Sequence, residues 1–206
     1  MARQIDYYFS LNSPWSCLGH RLFNDLAIKH KLKVTYKPTP LGEVFSETGG
    51  LPLGQRHPVR QSYRWVELQR WRDKRGIALN FKPKYWPVPS TLAERCVIGL
   101  NQIHHDPNTF VTLAFKTIWE KELNLADDGI VATILSASGL NAADIIARAN
   151  AAEADATYKK NRDDAIAAGV FGAPSYVIDG EVFWGQDRLE LLDDMLASGR
   201  NPYRPL

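Results

Sequence analysis

The most constraining feature of this sequence is a βαβ pattern within its first forty residues. Residues 4–10 (QIDYYFS) alternate and are rich in aromatic side chains, which is typical of a strand. Pro14 follows, and proline is favoured in the first turn of a helix because its missing N–H has no intrahelical acceptor there. Apolar residues then recur at helical spacing to about His30, and residues 32–37 (LKVTYK) predict a second strand.

The end of the chain predicts two further strands and a helix. The segment APSYVIDGEVFWG predicts a strand, a tight turn at Asp179-Gly180 and another strand, because Asp-Gly between apolar runs favours a hairpin. Residues 187–198 (DRLELLDDMLAS) predict an amphipathic helix with Asp187 near its start.

The chain between these two parts contains helical patterns and no strand candidate. A Gly- and Pro-rich stretch over residues 38–55 predicts a long loop with a weak helix near 43–46, and three prolines predict a second loop over 80–90. The predicted helices cover residues 59–74, 91–105, 108–122, 127–138 and 151–168, with a short one that begins at Asn141.

This element order is that of the thioredoxin fold. We therefore predict an α/β chain with a thioredoxin-like fold (βαβ…ββα) and a large all-helical insertion. Residues 1–40 and 170–206 are expected to form the thioredoxin-like domain, and residues 41–169 the helical insertion domain.

Charge and cysteine content exclude several classes of protein. The net charge of +2 gives no basic surplus for nucleic acid, and no stretch approaches the roughly 18 consecutive apolar residues of a membrane helix. Residues 1–15 have no apolar core of the signal-peptide type, so a cytoplasmic protein without a membrane partner is expected. Cys17 and Cys96 are far apart and form no metal-ligand spacing, which predicts neither a disulfide nor a metal site.

Ser13 occupies the position at which redox members of this fold carry a cysteine. There, Cys-x-x-Cys begins the first helix, whose N-terminal amides and dipole stabilise a thiolate. Here the junction reads Ser13-Pro14-Trp15-Ser16, so no disulfide can form, and the following Cys17 is expected to be a buried apolar residue. Ser13 can donate a hydrogen bond to a thiolate on a bound cofactor, or it can act only as a helix cap.

Pro174 precedes the third predicted strand, where thioredoxin-type folds have a cis-proline. The backbone of Ala173 would then be free to pair with an extended peptide such as glutathione, and the sulfur of that peptide would point to Ser13. The alternative is a trans-proline at the start of a strand.

The run Trp184-Gly185-Gln186-Asp187-Arg188 links the last strand to the last helix. Backbone amides near Gln186 can take a carboxylate and Asp187 can pair with an α-ammonium, which are the two groups at the γ-glutamyl end of glutathione. Alternatively, Asp187 is only a helix cap and Arg188 a solvated charge.

Taken together, the SPWS junction, the VELQRW segment and the tail FGAPSYVIDGEVFWGQDRLELL resemble the 2-hydroxychromene-2-carboxylate isomerases and their sister group, the kappa-class glutathione transferases. The resemblance covers essentially the whole chain. It implies a glutathione-dependent cis–trans isomerisation in the breakdown of aromatic hydrocarbons. In that reaction glutathione thiolate adds to a conjugated double bond, the resulting single bond rotates, and the thiol is eliminated. It further suggests a homodimer.

The resemblance also implies roles for individual residues. Ser13 would hold the thiolate as the catalytic residue, and the substrate would be a small aromatic or unsaturated carboxylate. The residues implied to bind glutathione are Ser13, Ala173, Pro174, Trp184, Gly185, Gln186 and Asp187, and those implied to bind the substrate are Gln55, Arg56 and Tyr85.

One departure from the family pattern leaves the substrate open. The family places a lysine in the first loop where this chain has Phe45, and Arg56 or Lys37 is the candidate replacement for that cation. Arg56, Arg60 and Arg64 are spaced to share one helix face, either as a basic wall for a carboxylate or as a solvated surface.

Two alternatives to the isomerase remain open. A kappa-type glutathione transferase would consume glutathione, whereas an isomerase returns it. A redox-dead, non-catalytic module would bind peptides at the cis-proline independently of glutathione.

Overall fold

The computed structural model describes residues 3–205, which contain a four-stranded mixed sheet of order β2-β1-β3-β4. The parallel pair aligns Ile5 with Val34, and the antiparallel pair aligns Ile5 with Ile178. The strands are β1 (Gln4–Phe9), β2 (Lys33–Pro38), β3 (Ser175–Ile178) and β4 (Glu181–Trp184). The predicted thioredoxin-like fold is confirmed.

The helices follow the predicted order closely. They are α1 (Pro14–Lys29), α2 (Leu41–Thr48), α3 (Pro58–Arg75), α4 (Thr91–Gln102), α5 (Asn108–Trp119), α6 (Asp128–Ala137), α7 (Ala142–Asn150), α8 (Ala152–Ala167) and α9 (Leu189–Ser198), with 3-10 turns at Leu53–Gln55 and Gln186–Arg188. Within residues 3–205, no helix is both long enough and apolar enough to cross a membrane.

Local chemistry explains both the agreement and the differences. Asp179 and Gly180 have φ of 50° and 77°, as a two-residue hairpin of the predicted kind requires. The helix predicted over residues 108–122 ends at Trp119, and Glu122 has a left-handed φ of 53°. The last helix begins at Leu189 rather than at Asp187, because residues 186–188 form a separate 3-10 turn.

A hydrophobic core packs the sheet against helices from the two ends of the chain and from its middle. Tyr7 of β1 stacks on Phe9 with ring centroids 4.7 Å apart and on Tyr176 of β3 at 5.3 Å, and Phe9 approaches Phe115 of α5 at 6.2 Å. The same cluster includes buried residues from α1, α3 to α7 and α9. The division into a thioredoxin-like domain and an insertion domain describes the order of elements along the chain, and it stays a prediction.

His20 of α1 lies inside this aromatic core. Its ring is 3 % exposed and lies 5.3 Å from the ring of Phe115. Burial lowers its pKa from 6.5 to about 4, although hydrogen bonding to Asn108 acts in the opposite direction. The imidazole is therefore neutral in the folded protein at neutral pH.

His20 should make the protein less stable in mild acid. Between pH 6.5 and about 4 the unfolded chain takes up a proton that the folded chain does not, so the free energy of unfolding falls with pH. At pH 5 the loss due to this residue is about 2 kcal/mol. We expect denaturant unfolding of His20→Leu to lose less stability between pH 7.5 and pH 5 than the wild type does, by roughly this amount. Equal losses in the two proteins would contradict a buried neutral His20.

Candidate active site

Ser13 caps the N-terminus of α1. Its backbone is extended, with φ −94° and ψ 114°, and its Oγ accepts a hydrogen bond from the Ser16 N–H at 3.2 Å. Because Pro14 has no N–H and the cap uses that of Ser16, the Trp15 amide is a first-turn donor without an intrahelical partner. A buried hydroxyl and a helix N-terminus meet here, which is an arrangement suited to an anion.

The peptide bond between Ala173 and Pro174 is cis, as predicted. The Ser13 hydroxyl donates to the Ala173 carbonyl oxygen at 3.3 Å, so the helix junction and the cis-proline lie in direct contact. Ser175 begins β3 directly after the proline, and its hydroxyl donates to the Gly172 carbonyl at 2.7 Å. The structure thus brings together two of the three predicted parts of the site.

The third part, residues 184–188, is attached to the cis-proline. The Gly185 N–H donates to the Pro174 carbonyl at 2.8 Å, and Gly185 has φ of 101°, a conformation that favours glycine. Trp184 is 49 % exposed and packs on Phe171 with ring centroids 4.6 Å apart. A Cβ added to Gly172 would lie 2.5 Å from Trp184 Nε1, so the indole depends on this glycine.

Asp187 and Gln186 have different surroundings. The Asp187 carboxylate is partly exposed and pairs with the guanidinium of the neighbouring Arg188, and it caps no helix. The Gln186 side chain is 1 % exposed, and its Oε1 accepts from Arg75 Nε at 2.8 Å. Asp187 is therefore accessible to a ligand, whereas the Gln186 side chain is enclosed by protein.

Sequence reasoning missed a buried carboxylate that holds the loop before Ser13. Glu94 of α4 is 2 % exposed, and it accepts hydrogen bonds from Ser10 Oγ at 3.0 Å, from the Leu11 N–H at 2.9 Å and from Tyr158 Oη. Burial raises the pKa of this carboxyl, while the donors act in the opposite direction. The Ser13 N–H donates to the Ser10 carbonyl at 3.0 Å, so Glu94 reaches Ser13 through one intervening residue.

Asn12 attaches the same loop to residues 86–88. Its Nδ2 donates to the Val88 carbonyl at 2.8 Å, and its Oδ1 accepts from the Val88 N–H at 3.0 Å. The indole N–H groups of Trp86 and Trp119 donate to the carbonyls of Asn12 and Leu11 at 2.9 and 3.0 Å. Side chains from the helical part of the chain therefore fix the backbone immediately before Ser13.

A pocket of about 450 Å³ lies beside Trp15, two residues from Ser13. Its lining residues are Trp15, Arg56, Val59, Arg60, Tyr63, Arg64 and Glu67. The three arginines converge on it although Arg56 precedes the first residue of α3. Of the predicted substrate residues, only Arg56 lines this pocket. Gln55 lies in the exposed 3-10 turn, and Tyr85, which is 41 % exposed, is not among the lining residues.

The arginines give this pocket a positive charge. Arg64 is half-buried, with its guanidinium carbon 5.8 Å from the ring centroid of Trp86. Burial, assisted by the charge of Arg56, lowers its pKa to about 10, so it remains protonated at neutral pH. The pocket is suited to an anionic ligand with an apolar body.

Other candidate groups are occupied or unreactive. Lys37 contacts Asp164 at 3.0 Å and Asp6 at 3.1 Å, so of the two candidate replacement cations it is Arg56 that faces the pocket. Burial raises the pKa of the Cys17 thiol, and it raises that of Cys96 to about 12. Residues 3–205 contain no group of three or more His, Cys, Asp or Glu side chains that could hold a metal ion.

Comparison with known proteins finds similarity along almost the entire chain. The model of the DSBA-like thioredoxin domain matches residues 4–197. A 2-hydroxychromene-2-carboxylate isomerase of Sphingobium xenophagum is 28 % identical over 197 residues, which cover 95 % of this chain and 99 % of the relative. Glutathione S-transferase kappa 1 of Caenorhabditis elegans is 25 % identical over 207 residues, covering 94 % and 90 %. A solved structure of a 2-hydroxychromene-2-carboxylate isomerase is similar with a TM-score of 0.78 at 25 % identity, over 95 % of each chain.

Removing the Glu94 carboxylate should loosen the Ser13 loop. Glu94→Leu would leave two buried donors and one partly buried donor without their acceptor, and we expect it to lower the free energy of unfolding by about 3 kcal/mol. Glu94→Gln keeps an acceptor oxygen, and Tyr158→Phe removes a single donor, so each should cost about 1 kcal/mol. Denaturant unfolding measures all three, and a Leu variant as stable as the Gln variant would show that the network is unimportant.

Proposed function

The chain belongs to the DSBA-like thioredoxin domain family, and on that premise we propose that it is a glutathione-dependent cis–trans isomerase of 2-hydroxychromene-2-carboxylate or a related unsaturated aromatic acid. Relatives named 2-hydroxychromene-2-carboxylate isomerase support an isomerase. The observation that carries the proposal is the Ser13 hydroxyl, which lies at the N-terminus of α1 against the carbonyl that precedes cis-Pro174. Sulfur chemistry at that point requires a thiol from outside the chain.

The residues present fit glutathione along its length. Ser13 and the first turn of α1 suit its thiolate, and the backbone of Ala173 and Pro174 suits its extended peptide. The accessible Asp187 carboxylate suits the α-ammonium of the γ-glutamyl end, beside the Gly185 backbone and the exposed Trp184 ring. When bound, glutathione supplies the thiolate that adds reversibly to the conjugated double bond.

Ser13 stabilises this negative charge without ionising itself. Its hydroxyl donates to the Ala173 carbonyl, and rotation about the Cβ–Oγ bond allows it to donate to a thiolate instead. The dipole of the 16-residue helix α1 acts in the same direction. Together these interactions favour the ionised thiol near neutral pH.

The arginine-lined pocket would receive the acid. Arg56, Arg60 and Arg64 would hold the substrate carboxylate, and Trp15, which also lines the pocket, would contact its aromatic ring. Ser13 would then hold the thiolate, and the pocket that Trp15 lines would hold the acid that receives it. Gln55 and Tyr85 remain predicted substrate residues, acting from outside this pocket.

A kappa-type glutathione transferase is the second candidate, favoured by the similarity to the Caenorhabditis elegans enzyme. The two reactions differ in their use of the thiol. Measurement of free glutathione during turnover of an unsaturated aromatic acid distinguishes them, because the isomerase returns the thiol and the transferase consumes it.

The Ser13→Ala protein should still bind glutathione, but the bound thiol should ionise less readily. Loss of one charge-assisted donor is expected to raise the pKa of the bound thiol and to slow turnover by roughly 10²-fold. Thiolate absorbance in the ultraviolet, followed across pH with the purified protein and glutathione, measures the first effect.

Ser16→Ala is the matched control for this variant. The Ser16 hydroxyl is buried and has no hydrogen-bond partner among residues 3–205, so its removal should change neither the thiol pKa nor turnover. An Ser13→Ala protein with full activity at neutral pH would remove Ser13 from the mechanism. A wild-type protein that binds no glutathione at millimolar concentration would favour the peptide-binding module.

Arg60→Met should weaken binding of the acid selectively. Loss of one arginine from the pocket is expected to raise KM for 2-hydroxychromene-2-carboxylate by roughly tenfold while leaving the KM for glutathione unchanged. Arg72→Met removes a cation of the same helix that does not line the pocket, and its kinetics should match the wild type. Equal effects of the two substitutions would indicate a general charge effect and no carboxylate site.

A further inference from the structure

Helix α3 contacts both halves of the proposed site. Residues in its first ten positions, including Arg60 and Arg64, line the arginine pocket. Its last residue, Arg75, reaches the segment between β4 and α9. The helix ends immediately afterwards at Gly76, whose left-handed φ of 62° stops it there.

Arg75 donates two hydrogen bonds to Gln186. Its Nε donates to Gln186 Oε1 at 2.8 Å, and its Nη2 donates to the Gln186 carbonyl oxygen at 3.0 Å. One bond holds the side chain and the other the backbone. The planar guanidinium presents these two N–H groups in a fixed geometry, whereas the donors of an ammonium all lie on one rotating nitrogen. The contact therefore fixes the orientation of the peptide at residue 186.

The Arg75 side chain is itself held in place. Its guanidinium carbon lies 4.9 Å from the ring centroid of Trp71, one helical turn earlier. Its carbonyl accepts a hydrogen bond from Arg21 Nη2 of α1 at 2.9 Å. The residue that binds Gln186 therefore also takes part in the contact between α1 and α3.

Gln186 is enclosed from the other side by α1. A Cβ placed on Gly19 would lie 2.7 Å from Gln186 Cβ and 2.9 Å from Tyr176 Oη, so α1 approaches this segment as closely as a glycine permits. Gly185 is bonded to the Pro174 carbonyl on one side of Gln186, and Asp187 follows on the other. The position of the Asp187 carboxylate consequently depends on how Gln186 is held.

We propose that Arg75 is a positioning residue for glutathione. It holds residues 185–187 in the conformation that receives the γ-glutamyl end. This inference rests on the proposed function. It assigns to α3 two separate tasks, because the first half of the helix meets the acid and its last residue shapes the binding segment for the thiol cofactor. Arg75 acts through Gln186 and does not itself touch the reacting atoms.

Calorimetric titration with glutathione tests this proposal. We expect Arg75→Met to weaken binding by about tenfold, and Arg75→Lys, which keeps the charge but loses the fixed planar pair of donors, to lie between Arg75→Met and the wild type. The pKa of the bound thiol, read from thiolate absorbance at saturating glutathione, should stay at the wild-type value because Ser13 is unchanged. Hydrogen exchange should rise in residues 184–188.

The controls separate this contact from charge and from folding. Lys74→Met removes the neighbouring cation, whose Nζ lies 3.5 Å from Glu190, and should leave glutathione affinity unchanged. Gln186→Met removes one of the two bonds from the opposite side, and it provides the same test if Arg75→Met fails to fold. In the double variant the two losses should be less than additive, since both remove the same interaction.

Each outcome has a distinct meaning. The wild type is measured first, and its failure to bind glutathione would reject the proposed function and this inference with it. If the wild type binds and Arg75→Met binds equally well, the positioning role is wrong while the proposed function stands. A shifted thiol pKa in Arg75→Met, or an equal loss in Lys74→Met, would also overturn the role.

Discussion

The buried Glu94 carboxylate is the interaction on which the geometry of the site depends. A carboxylate inside a protein core is stable only when donors surround it, and here the donors include Ser10 and Leu11 of the loop that leads to Ser13. The loop is held further by Asn12, whose amide pairs with both backbone groups of Val88. The helical part of the chain thereby sets where α1 begins and where its N-terminal amides point.

This junction keeps the backbone features at which redox members of the fold carry their cysteines, although the cysteines themselves are absent. The helix N-terminus and the cis-proline are retained, and both are backbone features that need no thiol. Cys17 cannot replace the missing sulfur, because burial raises the pKa of its thiol and it lies one turn inside α1. What the chain keeps is a helix N-terminus in contact with a cis-proline, and what it lacks is a cysteine at that junction.

Features of the fold that follow from local chemistry could be predicted from the sequence, and those that depend on distant contacts could not. The Pro14 helix start and the Asp179-Gly180 hairpin each rest on a few adjacent residues, and the cis bond at Pro174 was predictable only once the element order had indicated the fold. Glu94 and Arg75 act on residues 84 and 111 positions away, and no spacing pattern reveals such a pairing. The shared helix face of the three arginines could be predicted from their regular spacing. The enclosure of Gln186 could not, because it depends on contacts with distant residues.

The three arginines that line the pocket also affect the rate at which an anionic molecule associates with this protein. Like-signed charges clustered at the mouth of a cleft attract an oppositely charged solute during diffusion, before any contact forms. Salt limits the range of this attraction to about 8 Å at physiological ionic strength, so it guides only the last step of approach. If the pocket receives an acid as we propose, its capture is quicker than by unaided collision, and the rate declines as ionic strength increases.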